Sequence, residues 1–278
     1  MELSLICPVQ HVEYTNLLAG RFCLAPVALR YDTYCQYFAD ASQNGYKVIL
    51  DNGVFEENKV KDGEYIDLAR SIGAHVVVIP DTINVGAEEN WEVAVEFVDK
   101  IRKVASTVEL MYVVQCSKGD TQGFWSTLLR ALNYIDIQWI GICRDAVYNA
   151  FSEWTHTEDQ ELNRFFFAAR LQEDFPVDKI LSKKWHFLGI GSHIDLLQYF
   201  WFVDAMDTAS LFYQATLGKQ VSDEFILPSE LKRPKDYFLK NFSPENDWVA
   251  TLKYNCWAAL YMAQQADINR RKILGGRL

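Results

Sequence analysis

Short apolar runs, each stopped by a polar residue, recur along the chain at intervals typical of strands that alternate with helices. The clearest is Lys47–Glu56, KVILDNGVFE, in which an apolar strand from Lys47 to Leu50 ends at Asp51 and Asn52-Gly53 turn the chain. The same layout predicts eight strands: Leu3–Pro8, Phe22–Leu29, Lys47–Asp51, His75–Pro80, Glu109–Gln115, Trp139–Cys143, Lys184–Ile190 and Phe202–Asp207.

Segments with apolar residues at helical spacing lie between most of these strands. They are Tyr34–Ala41, Glu64–Ile72, Ala87–Ala105, Phe124–Tyr134 and Ile194–Trp201. Gly73 follows the second segment, where a helix C-cap is expected. Strands that alternate with helices in this way predict an α/β fold, a (β/α)8 TIM-type barrel. An open doubly wound sheet is the alternative, although no Gly-x-Gly-x-x-Gly motif follows an early strand.

The longest connection runs from residue 146 to residue 183 and is predicted to be an insertion after the sixth strand. Thr157–Gln160 fits a capping box and predicts a helix start. Long connections are often functional, so this one is either a lid or a surface elaboration. We expect residues 1–212 to form the barrel and residues 213–278 to form a C-terminal extension. Within the extension, Ser243 and Pro244 precede a predicted helix over Trp248–Ala266.

Composition narrows the class of protein. The chain has 278 residues, of which 50% are hydrophobic, and its net charge is −10, so nucleic acid could be bound only through a local basic patch. The sequence has no apolar run of membrane-spanning length and no basic leader, and we expect a soluble, cytoplasmic protein. The six cysteines form no Cys-x-x-Cys pair, which predicts reduced core thiols, no zinc site and no cofactor.

Four polar residues stand at predicted strand ends: Asp51, Asp81, Gln115 and Asp207. In a barrel the carboxyl ends of the strands converge on one face, where active sites lie. Two carboxylates there could divide the roles of nucleophile and acid/base. A single Asp after a strand is more often a turn residue or a helix cap, and Gln115 could simply bond to the backbone.

Six motifs in order resemble the tRNA-guanine transglycosylase superfamily. VILDNGVFE is similar to that family's Asp-Ser-Gly-Gly-Phe-Gln segment, and VIPD, VVQC, WIGICRD, HFLGIGS and FVDAMDTAS follow in the order of its later strand signatures. The resemblance covers about residues 20–212 and implies exchange of a guanine base through a covalent glycosyl-aspartate. Zinc-free, shortened relatives include the DNA 7-deazaguanine transglycosylases of phages and bacterial genomic islands, which this chain resembles most.

The resemblance implies a role for each matching residue. Asp207 stands at the position of the nucleophile and Asp51 at that of the acid/base carboxylate. The predicted base-binding residues are Asp81, Gln115, the backbone of Gly141, Asn52, and the sandwiching pair Phe55 and Leu188. Gln115 and the Gly141 N–H would donate to the carbonyl of the base, and Asp81 would accept from its N–H edge.

Several residues depart from the family pattern. Asn52 and Val54 replace a serine and a glycine, Glu56 replaces a glutamine, Thr208–Ser210 replace a Pro-Thr-Arg, and the zinc module is missing. The expected partners are therefore DNA and a free base such as 7-cyano-7-deazaguanine, in the host cytoplasm if the chain is phage-encoded. A zinc-independent tRNA enzyme and a non-catalytic nucleic-acid-binding barrel are the alternatives. Lys232, Arg233 and Lys235 are the predicted DNA contacts, although such a cluster is often a solvated surface.

Overall fold

The buried apolar runs form strands and the segments between them form helices, and the chain is a (β/α)8 barrel with a C-terminal helix, as the alternation predicted. The computed structural model describes residues 1–54, 60–83, 85–189, 191, 193–221, 233–234, 236–243 and 247–275. These residues group into two compact units, one of Met1–Arg21 with Gly189–Leu278 and one of Phe22–Leu188. The predicted division at residue 212 stays a prediction.

The strands are β1 (Glu2–Leu5), β2 (Arg21–Leu24), β3 (Val48–Asp51), β4 (Val76–Val78), β5 (Glu109–Val114), β6 (Trp139–Cys143), β7 (Lys184–Leu188) and β8 (Ala205–Thr208). The helices are α1 (Ala25–Arg30), α2 (Asp32–Gln43), α3 (Asp62–Ile72), α4 (Ala87–Arg102), α5 (Thr121–Asn133), α6 (Arg144–Thr155), α7 (Gln160–Asp174), α8 (Val177–Ile180), α9 (Ser210–Thr216) and α10 (Trp248–Ile273). Short 3₁₀ segments cover Val9–Leu17, Ile194–Tyr199 and Tyr237–Leu239. Among the described residues, no helix combines the length and the apolar character that a membrane crossing requires.

In the unit of residues 22–188, the strands lie side by side in the order β2-β3-β4-β5-β6-β7. The strands from β3 to β7 pair in parallel, with Leu50 beside Val77, Val114 beside Ile142 and Cys143 beside Leu188. Apolar residues fill these strands because helices cover a parallel sheet on its outer side and side chains fill the inside. Parallel alignment brings the carboxyl ends of neighbouring strands to one edge.

The predicted end of the second strand was wrong, and the predicted helix end at Gly73 was confirmed. The second strand was predicted to extend to Leu29, but β2 ends at Leu24 and α1 begins at Ala25. Pro26 lies in the first turn of α1, where its missing N–H leaves no helical hydrogen bond unmade. Gly73 does end α3, with a φ of 68° that glycine adopts without strain.

The predicted insertion consists of helices. α6 continues directly from β6, and α7 begins two residues later than the capping box suggested. Asp159 is the N-cap, because its carboxylate accepts from the N–H groups of Glu161 (2.8 Å) and Leu162 (3.1 Å). Thr157 instead accepts the N–H of Asp159. The fully buried Arg164 of α7 donates to the Leu188 carbonyl at 2.6 Å, which ties the insertion to β7.

The amino ends of the same strands carry a cluster of charged side chains around one indole, which we call the N-terminal cluster: Lys47, Glu109, Trp139 and Lys184. Glu109 accepts from Lys184 Nζ at 2.6 Å and from Trp139 Nε1 at 2.7 Å. The Nζ atoms of Lys47 and Lys184 lie 5.5 and 5.3 Å from the Trp139 ring centroid. A cleft of about 410 Å³ opens at this end of the strands.

The unit of residues 1–21 and 189–278 is built around β1 and β8, which pair in parallel with Ser4 beside Asp207. Gly20 bridges to β1, and a Cβ there would collide with Ser4 Oγ. An aromatic cluster fills the centre of the unit: His11, Tyr14, Phe212, Tyr237, Phe242 and Trp248. α10 extends to Ile273, seven residues beyond its predicted end, and packs on α9 and on the 3₁₀ segment Ile194–Tyr199.

Candidate functional site

The carboxyl ends of β3, β4 and β5 bring three polar side chains together. Asn52 follows the last residue of β3, Asp81 lies three residues beyond β4, and Gln115 follows β5 directly. Asn52 Nδ2 donates to Asp81 Oδ1 at 2.5 Å, and Gln115 Nε2 donates to Asp81 Oδ2 at 2.6 Å. We call these three residues the Asp81 cluster. Strand-end position alone had predicted that Asp81 and Gln115 would meet.

The turn after β3 explains how Asn52 reaches Asp81. Asp51 Oδ2 accepts the N–H of Gly53 at 2.8 Å, and Asn52 Oδ1 accepts the N–H of Val54 at 3.1 Å. Gly53 has a φ of 68°, which glycine adopts without strain. With its oxygen held by this turn, the Asn52 side chain directs its amide nitrogen at Asp81. The buried Asp51 thus stabilises the turn, and its predicted acid/base role stays a prediction.

Asp81 is the carboxyl group of this site that has a shifted pKa. Burial raises its pKa above the usual value of 3.8, and the hydrogen bonds from Gln115 and Asn52 lower it by less. The Asp81 residue is half-buried, so the carboxyl group is desolvated by its surroundings while part of the residue remains accessible. Neutral amides fix the orientation of a carboxyl group without neutralising its charge, which leaves the group able to take up a proton.

Gln115 is fully buried, and the nitrogen and the oxygen of its side-chain amide have different surroundings. Its Nε2 donates to Asp81 and, at 3.4 Å, to Cys143 Sγ. Its Oε1 is buried and has no hydrogen-bond partner among the described residues. The resemblance had assigned the amide nitrogen to a ligand carbonyl, but in this structure Asp81 takes that nitrogen. The amide oxygen, an acceptor, is the atom of this side chain that has no described partner.

Cys143 was not among the predicted site residues, although it ends β6 beside Gln115. Its Sγ accepts from Gln115 Nε2 and from the Ala146 N–H at 3.4 Å, where it caps α6. Burial raises the pKa of the Cys143 thiol to about 12, so the group is a neutral thiol and not a thiolate nucleophile. The signal that could have found it was its strand-end position, which it shares with Gln115.

Gly141 and Leu188 lie in the wall beside the cluster. Gly141 is buried within β6 in register with Val113 and His186. A Cβ on Gly141 would approach the side chains of Val113 and Leu188 to 2.9 and 3.0 Å, which explains the glycine by packing. Leu188 ends β7 and is half-buried. The predicted contact of Gly141 and Leu188 with a ligand stays a prediction.

Asp207 lies in β8, in the unit of residues 1–21 and 189–278, and is buried. Within that unit, Asp207 Oδ1 accepts the N–H of Gly189 at 3.1 Å. Its side chain therefore holds the backbone at Gly189. A catalytic role for Asp207 stays a prediction.

Three predicted site residues, Phe55, Lys232 and Lys235, lie outside the described residues. Arg233 is described, and its guanidinium carbon lies 5.4 Å from the Tyr237 ring centroid and 5.9 Å from that of Phe238. These distances are typical of a cation–π contact. Arg233 thus packs on aromatic rings of its own unit, a contact that requires no ligand.

Comparisons with known proteins give a likeness of fold only. No family model matches the chain, and no curated protein matches it. Among solved structures, an N-acetylneuraminate lyase from Mycoplasma synoviae matches with a TM-score of 0.46 and 11% identity over 91% of this chain and 78% of the lyase. CdNal from Clostridium difficile, solved in complex with mannosamine, matches with a TM-score of 0.43 and 12% identity over 98% of this chain and 99% of its own.

These findings correct the resemblance stated above. The matching structures are N-acetylneuraminate lyases, and the prediction of a tRNA-guanine transglycosylase relative was wrong. The predicted glycosyltransferase activity, the DNA and 7-deazaguanine partners, the nucleic-acid alternatives and the phage setting were wrong with it. The physical reason is that an apolar strand ending in a polar residue is what the barrel fold itself requires at every strand. Six such motifs in order identified the barrel and not a family within it.

Proposed function

We propose that this barrel is an acid–base enzyme for a small, neutral, hydroxyl-bearing molecule, with Asp81 as the residue that transfers the proton. The observation that carries the proposal is the Asp81 carboxyl group, half-buried, raised in pKa and held by two amides at 2.5 and 2.6 Å. A titratable group perturbed by burial at the carboxyl ends of barrel strands is a common mark of an active site.

Proton transfer requires a carboxyl group with a fixed direction and a pKa closer to neutrality than that of an exposed aspartate. Asn52 and Gln115 fix the direction because each donates to a different carboxylate oxygen. Burial supplies the pKa shift. Each Asp81 oxygen keeps a second lone pair after accepting one amide, so a ligand hydroxyl can still bond to it.

The unsatisfied groups indicate what the ligand must offer. Both carboxylate oxygens of the half-buried Asp81 have a lone pair left after accepting one amide each, so the site presents acceptors. A ligand must therefore supply O–H donors in at least two places. Asp51 and Asp81 are both acidic, which disfavours an anionic ligand by charge repulsion. A neutral polyol or sugar fits these requirements.

Amine chemistry finds less support at this end of the strands. The described lysines at the starts of β3 and β7 lie at the amino ends of these strands: Lys47, Lys183 and Lys184. Lys118, four residues beyond β5 at the carboxyl end, is exposed and lies with its ammonium 5.5 Å from the Tyr148 ring centroid. The thiol of Cys143 is protonated at neutral pH because of its raised pKa. Asp81 is therefore the group in the Asp81 cluster that is suited to proton transfer.

The test is a panel of neutral polyols and sugars, with mannosamine included as a charged comparison. Binding is measured by calorimetry, and turnover or proton exchange in D₂O is followed by NMR. We expect at least one neutral compound to be bound and altered by the wild type. Asp81→Asn should lower the rate of that change roughly 10²–10⁴-fold, as removal of a general acid or base does.

The matched control is Asp67→Asn, because Asp67 is an exposed aspartate on α3 that pairs only loosely with Arg70 at 4.0 Å. It should leave binding and turnover unchanged. The proposal fails if Asp81→Asn processes every active compound at the wild-type rate, or if both variants lose activity alike.

A further inference from the structure

The 26-residue helix α10 has a heptad pattern on its exposed side, in addition to the pattern of its buried side. This exposed pattern is independent of the Asp81 cluster. Residues at alternating spacings of four and three form one row along this side: Ala250, Tyr254, Trp257, Tyr261, Gln264, Ile268 and Arg271. This spacing is that of the a and d positions of a coiled coil, sustained over three heptads. The row spans about 32 Å at 1.5 Å per residue.

The opposite side of α10 is already packed. Its buried residues are Trp248, Leu252, Asn255, Cys256, Ala259, Ala263 and Ala266. Asn255 accepts the Val221 N–H at 3.0 Å and donates to the Leu211 carbonyl at 3.3 Å, which fixes the helix against α9. The exposed row is therefore not needed to hold α10 in its unit.

The exposed row is unusually apolar for a surface. Trp257 is 62% exposed, Tyr261 49% and Ile268 42%. The Trp257 ring stacks on that of Tyr261 with centroids 6.1 Å apart, and the Tyr254 ring lies 6.1 Å from it on the other side. Trp257 and Tyr261, with the half-buried Tyr254 beside them, form an exposed apolar patch, and such patches mark interaction surfaces.

We propose that this row binds the same row of a second copy of the chain, with the two helices antiparallel. The row is self-complementary in that arrangement, because the twofold axis passes beside residue 259 of both helices. Each residue of one copy then faces the residue of the other copy that lies equally far from residue 259 on the opposite side. Trp257 then faces Tyr261, Ala250 faces Ile268, and Tyr254 faces Gln264. Six aromatic rings from the two copies supply much of the roughly 1,000 Å² that a specific interface buries.

The charges at the two ends of α10 select the antiparallel arrangement. Asp247, exposed at the amino end, faces Arg271 of the second copy, and Lys272 lies beside it. A parallel pair would instead bring Asp247 against Asp247 and the Arg271–Lys272 pair against its own copy. Like charges in contact are destabilising, whereas opposite charges set the orientation of a helix pair.

The first experiment measures the mass of the full chain in solution by sedimentation equilibrium. We expect the wild type to be a dimer at about 10 µM, with a dissociation constant in the range of ordinary specific interfaces. The double variant Trp257→Ala, Tyr261→Ala should raise the dissociation constant at least about 100-fold, since truncating central aromatic residues removes the main contribution to binding. A wild type that stays monomeric at about 100 µM overturns the proposal.

Trp154→Ala is the matched control, because Trp154 of α6 is also 62% exposed but lies outside α10. It should leave the dissociation constant unchanged. If Trp154→Ala weakens the dimer as much as the α10 variant does, the row is not the interface.

A charge exchange tests the orientation. Asp247→Arg and Arg271→Asp should each weaken the dimer about 10-fold, and the two together should restore it, because every contact is again between opposite charges. Asp247 has a φ of 49°, so circular dichroism must confirm that its variant folds. If it does not, Arg271→Asp and the aromatic variant still decide the matter. Failure of the double variant to restore a folded dimer contradicts the antiparallel arrangement.

Discussion

The carboxyl and amino ends of strands β3 to β7 each hold one carboxyl group in a polar cluster, and the two groups respond to folding in opposite ways. In the Asp81 cluster the donors to the carboxyl group are the neutral amides of Asn52 and Gln115. In the N-terminal cluster the donors to Glu109 are the Lys184 ammonium and the Trp139 indole. Both carboxyl groups are partly withdrawn from water.

The pKa shifts have opposite signs. For Asp81, burial raises the pKa and the amide hydrogen bonds lower it by less. For Glu109, burial also raises the pKa, but the hydrogen bonds from Lys184 and Trp139 and the charges of Lys184 and Lys47 together lower it below its usual value. Desolvation is common to both sites, so the charge of the partners decides the sign.

The difference is consistent with the catalytic role that we propose for Asp81 and with a structural role for Glu109. A carboxylate paired with a cation stays ionised and contributes to stability, whereas one held by neutral donors keeps a proton equilibrium that catalysis can use. In barrel enzymes the carboxyl ends of the strands carry the active site and the amino ends carry stability. Changes in the two clusters should therefore have different consequences.

The largest expected effect is on stability, at the N-terminal cluster. Trp139 is 1% exposed and supports both lysines and Glu109. Trp139→Ala should lower the free energy of unfolding by about 3–5 kcal/mol, the usual cost of removing a buried tryptophan. Urea unfolding followed by circular dichroism measures this loss. Trp154→Ala, which truncates an exposed tryptophan, should change the free energy of unfolding by less than about 0.5 kcal/mol, and equal losses would contradict the structural role.

The next effect is a pair of pH dependences with opposite signs. The native pKa of Asp81 lies above its usual value of 3.8, so between those two values the native state binds more protons than the unfolded state. Its contribution to stability is therefore present at low pH and is lost as pH rises through the native pKa. The native pKa of Glu109 lies below its usual value of 4.5, so its contribution is present above 4.5 and is lost as pH falls through the native pKa.

Two variants test these signs in unfolding experiments between about pH 3 and pH 8. Asp81→Asn should remove a loss of stability that the wild type shows with rising pH. Glu109→Gln should remove a loss that the wild type shows with falling pH, and should lower stability at neutral pH by about 1 kcal/mol or less, as for a partly exposed ion pair. If both variants change the same side of the pH profile, the comparison of the two clusters is wrong.

The sequence was sufficient to predict that Asp81 and Gln115 would meet. Both follow buried apolar strands, and parallel strands bring their carboxyl ends to one edge. It could not predict that Asn52 would donate to Asp81, because that contact depends on the turn in which Asn52 Oδ1 accepts the Val54 N–H. The sequence also could not predict which way the Gln115 side-chain amide points. Its orientation depends on Asp81 and Cys143, which accept hydrogen bonds from its nitrogen.

The family and several boundaries could not be predicted for a related reason. Patterns of apolar and polar residues report burial, and burial is common to all barrels, so they identified the fold and suggested the wrong family. Local patterns also missed α1, whose Ala25–Arg30 sequence is apolar enough to continue β2. Proline in its first turn favours the helix, but the same residue is also compatible with the end of a strand.

A smaller effect should follow from removing one amide of the Asp81 cluster. Asn52→Ala takes away a hydrogen bond that lowers the pKa of Asp81, so that pKa should rise further. Stability should fall by about 0.5–1.5 kcal/mol, the net value of a hydrogen bond. Carbon-13 NMR of the Asp81 carboxyl group measures the shift. Asn133→Ala, at the end of α5, is the control and should leave the Asp81 titration unchanged; a lowered pKa in Asn52→Ala would contradict the proposed electrostatics.

The smallest effect should come from Lys47. Its ammonium lies 5.5 Å from the Trp139 ring centroid, and its charge helps to lower the pKa of Glu109. Lys47→Met keeps most of the apolar stem of the side chain and removes the charge, so stability should fall by about 0.5–1 kcal/mol, as for an exposed cation–π contact. The pKa of Glu109 should rise, because one of its favourable charges is gone. Salt should reduce the difference from wild type, since the pair is partly exposed and screened.

Lys61→Met is the control, because it removes an exposed lysine at the start of α3, and it should change neither the stability nor the pKa of Glu109. If the two variants shift the Glu109 titration equally, the shift reflects net charge and not the N-terminal cluster.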